Sequence, residues 1–112
     1  MNRLNEIEAR ANAATEGPWM GVCDSDGYLG RVIGPDGFGI AEDFRDDADA
    51  EFIAAARTNV PRLVDALQAV LELHKPGRTF HGHGFSQPLC TCGAAMPCAT
   101  VTAIRQHLGD DL

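Results

Sequence analysis

His81-Gly82-His83-Gly84-Phe85-Ser86-Gln87-Pro88-Leu89-Cys90-Thr91-Cys92-Gly93-Ala94-Ala95-Met96-Pro97-Cys98 is the stretch on which the reading of the fold turns. It holds three of the four cysteines and two of the four histidines of the 112-residue chain. The run shows no hydrophobic period, and its glycines and prolines interrupt helix and strand alike, so it reads as irregular from Lys75 to Pro97. A loop of that length in a small domain needs something to organise it. Zinc would serve, because it takes four Cys or His ligands in a tetrahedral arrangement that a flexible segment can wrap.

Cys90, Cys92 and Cys98 supply three sulfurs. Cys98 falls at the start of a final helix, where the dipole favours a negatively charged ligand, and Cys92-Gly93 offers a permissive turn. The fourth ligand is His74 or His83, with His81 the third choice. His74 would join the strongest helix of the chain to the loop, although a histidine at a helix end also needs no metal to be explained. One residue separates Cys90 from Cys92, where paired zinc knuckles usually have two or more. Cys23, alone in a strand-like run, reads as a small buried hydrophobe.

Upstream, Leu4, Ile7, Ala11 and Ala14 recur at helical spacing and predict an amphipathic N-terminal helix that ends at Glu16-Gly17-Pro18. Trp19 follows, suited to anchoring that helix or to stacking on a ligand. Trp19–Cys23, Tyr28–Ile33 and Phe38–Ala41 are short β-type runs separated by Asp24-Ser25-Asp26-Gly27 and Gly34-Pro35-Asp36-Gly37, which predicts a three-stranded antiparallel meander. Gly21, Gly30 and Gly39 mark candidate bulges. The acidic turn at Asp24 lacks the third acidic position, the correctly placed Gly and the closing Glu of a helix-loop-helix calcium site.

Asp46-Asp47-Ala48-Asp49 suits a helix start, and Phe52, Ile53 and Ala56 give that helix an apolar face to about Arg57. Asn59 can cap a second helix, with Pro61 in its first turn and Val60, Leu63, Val64, Leu67, Val70, Leu71 and His74 along one stripe. Val101, Ile104 and Leu108 predict a short C-terminal helix, with Thr100 available as its cap. The expected fold is therefore α+β: N-terminal helix, three-stranded meander, helical pair, zinc-stapled loop and last helix. One domain is expected over residues 1–112, with an α+β body at 1–74 and a zinc-binding loop and helix at 75–112.

Composition narrows the functional classes. A net charge of −7, from 16 acidic against 9 basic residues, disfavours a grip on nucleic-acid phosphates and suits a basic protein partner. No apolar run approaches a membrane span and no signal peptide opens the chain, so a cytoplasmic protein is expected, where cysteines serve as metal ligands more often than as disulfides. A zinc deaminase would need His-x-Glu and Pro-Cys-x-x-Cys. Here His81-Gly82-His83 lacks the Glu, and Pro97-Cys98-Ala99-Thr100-Val101 lacks the second Cys. His-Glu-x-x-His, a phosphate-binding Gly-rich loop ending in Lys-Ser/Thr and a dinucleotide fingerprint are absent too. No catalytic residue is assigned, and the zinc is expected to be structural.

Ala13-Ala14-Thr15-Glu16-Gly17-Pro18-Trp19, followed by Asp49-Ala50-Glu51-Phe52-Ile53-Ala54-Ala55-Ala56-Arg57 and Val60-Pro61-Arg62-Leu63, resembles small phage and prophage proteins of the Ead-like kind. Leu73-His74-Lys75-Pro76, Cys90-Thr91-Cys92-Gly93 and Pro97-Cys98-Ala99-Thr100-Val101-Thr102-Ala103-Ile104 are similar to a tail on related actinobacterial phage proteins. The resemblance implies His74 as partner of the three cysteines and expression in a bacterial host cytoplasm, but no reaction. The expected role is a noncatalytic phage accessory protein that binds a host or phage protein. The alternative is a binder of a small, nucleotide-like molecule through Trp19, Tyr28 and the Gly-rich strands, and a zinc enzyme is the third reading.

Overall fold

A computed structural model describes residues 2–82 and 84–109. It is α+β, with the order α1 (Arg3–Ala13), β1 (Met20–Cys23), β2 (Leu29–Ile33), β3 (Gly39–Glu42), α2 (Asp47–Glu72), β4 (Pro76–Gly82), β5 (Phe85–Cys90) and α3 (Ala99–Leu108). β1-β2-β3 form an antiparallel sheet, and β4-β5 a separate antiparallel hairpin. The fold divides into two compact units: residues 7–63, and residues 1–6 together with 64–112. α1 and α2 each contribute residues to both.

The meander follows from its turns. Asp24 Oδ1 accepts the backbone N–H groups of Asp26 (2.9 Å) and Tyr28 (3.2 Å), and Asp36 Oδ1 accepts that of Phe38 (3.1 Å). Each turn then passes through a glycine at φ 84°, Gly27 and Gly37, a left-handed conformation that a side chain would strain. Of the three candidate bulges, Gly30 lies at one: the register moves from Val22↔Arg31 to Cys23↔Leu29 and skips it. A second shift, between Val32 and Ile33, runs from Ala41 to Gly39 and skips Ile40 instead. Val32 and Ala50 are fully buried in this unit. Cys23, expected inside, is exposed at the end of β1.

The expected helical pair and the expected long loop are corrected as well. The helical pair is one continuous 26-residue helix that runs through Pro61. Pro61 lacks the N–H that would bond the carbonyl four residues earlier, and its ring crowds that carbonyl. The apolar positions Ile53, Val60, Val64, Leu67 and Leu71 nevertheless keep one helical phase across it, as one uninterrupted helix requires.

At residues 76–90 the expected loop is the β4–β5 hairpin, paired from Pro76↔Cys90 to Gly82↔Phe85. Its β4 strand is exposed at six of seven positions, so no alternation of apolar and polar residues betrays it. Pro88 is tolerated because both strands of a two-stranded ribbon are edges. α3 starts from Cys98 rather than Thr100: Cys98 is its N-cap, with φ −74° and ψ 170°, and the Thr102 N–H bonds the Cys98 carbonyl at 2.9 Å.

Candidate metal centre

The second unit is built around sulfur. Cys90 and Cys98, each 3 % exposed, form a buried cluster with Val101, and Leu71 and Met96 pack against it. His74 enters from the turn that follows α2, where its N–H bonds the Leu71 carbonyl (3.1 Å). Thr91 fixes that turn from the hairpin side. Its hydroxyl donates to the Leu73 carbonyl (2.5 Å) and its N–H to the Lys75 carbonyl (2.9 Å), so both neighbours of His74 are tied to the residue between two cysteines. The approach is close enough that a Cβ on Gly77 would lie 2.8 Å from Thr91 Cγ2.

The Cys90–Gly93 segment is a tight turn. Gly93 N–H bonds the Cys90 carbonyl (2.8 Å) with Gly93 at φ 97°, and Cys90 N–H bonds the Ala94 carbonyl (2.7 Å). The turn aims the Cys92 N–H at Cys90 Sγ (3.4 Å), an interaction that offsets negative charge on sulfur.

The donor atoms of His74, Cys90, Cys92 and Cys98 all lie within 4.8 Å of one another and can hold a metal ion. The finer distances test the fit. Metal–sulfur bonds of about 2.3 Å and metal–nitrogen bonds of about 2.0–2.1 Å place a tetrahedral S···N pair about 3.5–3.6 Å apart. His74 Nδ1 lies 3.6 Å from Cys90 Sγ and 3.5 Å from Cys98 Sγ. A single ring nitrogen equidistant from two sulfurs is the arrangement of ligands that share a centre. Cys92 is the exposed member, Cys90 and Cys98 are buried and His74 is half-buried.

Four of the expected ligands thus converge. His83 lies outside the described residues. His81, the third choice, sits on β4 with Nδ1 2.9 Å from Ser86 Oγ and is not among the converging groups. The one-residue Cys90–Cys92 spacing is compatible with both sulfurs reaching the centre, because the turn folds Cys92 back onto Cys90.

The sequence did not single out a second feature, the role of Arg57. Its Nε–H donates to the Thr15 carbonyl (2.9 Å), which also accepts from Trp19 Nε1 (3.0 Å), and its guanidinium lies 5.9 Å from the centroid of the Trp19 ring. Trp19 and Tyr28, expected around one pocket, line separate cavities. Among the described residues no helix is long and apolar enough to cross a membrane. No protein-family model matches the chain, and neither a curated protein nor a solved structure is detectably similar to it.

Proposed function

We propose that this chain is a noncatalytic, phage-encoded accessory protein of the bacterial cytoplasm, stapled by a structural zinc ion, that binds a host or phage protein. The observation that carries the zinc is the His74–Cys90–Cys98 geometry, with S···N separations of 3.6 and 3.5 Å. Three thiolates and an imidazole form a donor set that suits zinc and, among harder cations, neither magnesium nor calcium. With four protein ligands the coordination sphere is closed, which is the condition of a structural rather than a catalytic site.

The partner reading rests on the meander unit, where Met20, Tyr28 and Phe38 are 60 %, 66 % and 75 % exposed beside an excess of acidic side chains. Exposed aromatic and Met side chains are the residues that interfaces favour. Phage origin is supported by the resemblance of the Gly17-Pro18-Trp19 and Cys-rich segments.

Two measurements test the proposal. Metal analysis of untagged, reduced protein should find one zinc per chain, and clearly less than one in Cys98→Ser and in His74→Ala after dialysis against a chelator. Absence of metal from the wild type would overturn the staple. Affinity capture from host lysate should enrich one protein that a Tyr28→Ser/Phe38→Ser double variant fails to retain. Equal enrichment by the two baits would refute the assigned surface.

A further inference from the structure

The segments Thr15–Trp19 and Phe52–Val60 meet at an apolar trough that the zinc and partner readings leave unused. Its walls are the inner faces of α1 and α2, with Ile7, Ala11, Ile53, Ala56 and Val60 as lining and Trp19 at its edge. Alanines where two helices face each other leave room rather than fill it, and the cavity measures about 330 Å³. That volume lies at the small end of ligand sites and admits roughly ten non-hydrogen atoms at the ~30 Å³ that a small group occupies in a liquid.

The charge of the lining runs against that of the chain. The whole protein carries 16 acidic and 9 basic residues, yet the trough is bordered by Arg10 and Arg57 and by no acidic side chain. Neither guanidinium has a carboxylate within ion-pair distance among the described residues. Arg57 is also held in place. Thr15 takes its Nε–H, the Trp19 ring lies beside it, and Gly17 makes the approach possible, because a Cβ there would stand 2.8 Å from Arg57 Cγ. A guanidinium carries five N–H donors, so this clamp uses one and leaves the terminal amino groups for a ligand. A fixed cation beside a half-buried apolar wall recognises a molecule with an apolar body and one anionic head.

We propose that the trough is a binding site for a small anionic amphiphile, an alkyl or aryl carboxylate of about ten to twelve non-hydrogen atoms, with the apolar body against Ala11, Ile53 and Ala56 and the carboxylate between Arg10 and Arg57. This goes beyond the metal and partner readings and depends on neither. A protein helix or a second copy of the chain are the competing occupants, and the dependence on one anionic head of a compact ligand distinguishes the proposal from them.

Trp19 is the only tryptophan and borders the trough, so its emission reports occupancy in the intact protein. Decanoate should produce a saturable change with half-saturation below about 1 mM. Decanol and decyltrimethylammonium, with the same chain and a neutral or cationic head, should bind at least about tenfold more weakly. Arg10 is exposed, so Arg10→Gln should keep the fold and weaken decanoate about tenfold. Ala56→Leu should fill the trough and abolish the response; where that variant fails to fold, Arg10→Gln decides. The proposal is overturned by no saturable response, by equal affinity for the three amphiphiles, by an unchanged Arg10→Gln, or by light scattering that shows a dimer to which decanoate does not bind.

Discussion

Replacing Cys98 with serine tests whether the sulfur cluster is a metal centre or a set of buried thiols. Structural zinc binds with an apparent free energy of about 10–16 kcal/mol, which over four ligands is roughly 2.5–4 kcal/mol each, or about two to three decades of affinity. Position decides where in that range each ligand falls. Cys98 is 3 % exposed and surrounded by Val101 and the other side chains of its cluster, so water cannot readily replace it, and Cys98→Ser should lie at the upper end. Cys92 is exposed, so a water can complete the coordination in Cys92→Ser, which should lie at the lower end. Competition against a chromophoric chelator of known zinc affinity measures each variant. Amide exchange on metal-stripped wild type should show lost protection in the β4–β5 hairpin, while the meander, whose buried side chain Val32 needs no metal, keeps its own. A Cys98→Ser protein that binds zinc within threefold of wild type, or a ranking with Cys92→Ser as the most damaged, would refute the reasoning.

Pro61→Ala should stabilise the protein by up to about 3 kcal/mol in chemical unfolding, because Pro61 stands inside one helix; two separate helices with Pro61 in a first turn would make the change nearly neutral. Thr91→Val removes the hydroxyl bond to the Leu73 carbonyl and should cost about 1 kcal/mol while lowering zinc affinity, read by the same chelator competition. Gly17→Ala drives a Cβ to 2.8 Å from Arg57 Cγ and should cost about 1–3 kcal/mol, with a shift in Trp19 emission as Arg57 leaves the ring. Unchanged emission in that variant would show that the Arg57–Trp19 contact does not depend on the glycine.

What could be read from the sequence depended on where regular burial leaves a pattern. α1 and the meander were legible because Leu4 and Ile7 repeat at helical spacing, and because Asp-Gly turns announce themselves through side-chain acceptors and left-handed glycines. The split of α2 at Pro61 was a local rule overridden in the whole helix: the apolar positions from Ile53 to Leu71 keep phase across the proline. The hairpin was illegible for the opposite reason, since β4 buries almost nothing and so shows no period. Among the site residues, Cys90, Cys92, Cys98 and His74 were visible from residue type alone, but the choice between His74 and His83 was not. Arg57 carried no signal, because its role comes from contacts 38 and 42 residues away in sequence, at Trp19 and Thr15.

The short Cys90-Thr91-Cys92 spacing acquires a physical explanation once Thr91 is considered. Cys90 and Cys92 share one turn and Cys98 follows six residues later at the start of α3, but the fourth donor belongs to the turn after α2 and must be brought to them. Thr91 does this through bonds to the carbonyls of Leu73 and Lys75, which bracket His74 and set its ring at 3.5–3.6 Å from two sulfurs. A second intervening residue would loosen that link, since the tether and both adjacent sulfurs would no longer share one turn. Binding energy from a metal ion at this cluster would then not be consumed in finding the histidine, because the two Thr91 hydrogen bonds, one from its hydroxyl and one from its backbone N–H, have already placed it. The residue between the cysteines is a positioning residue, and the departure from the usual knuckle spacing is what allows it to act.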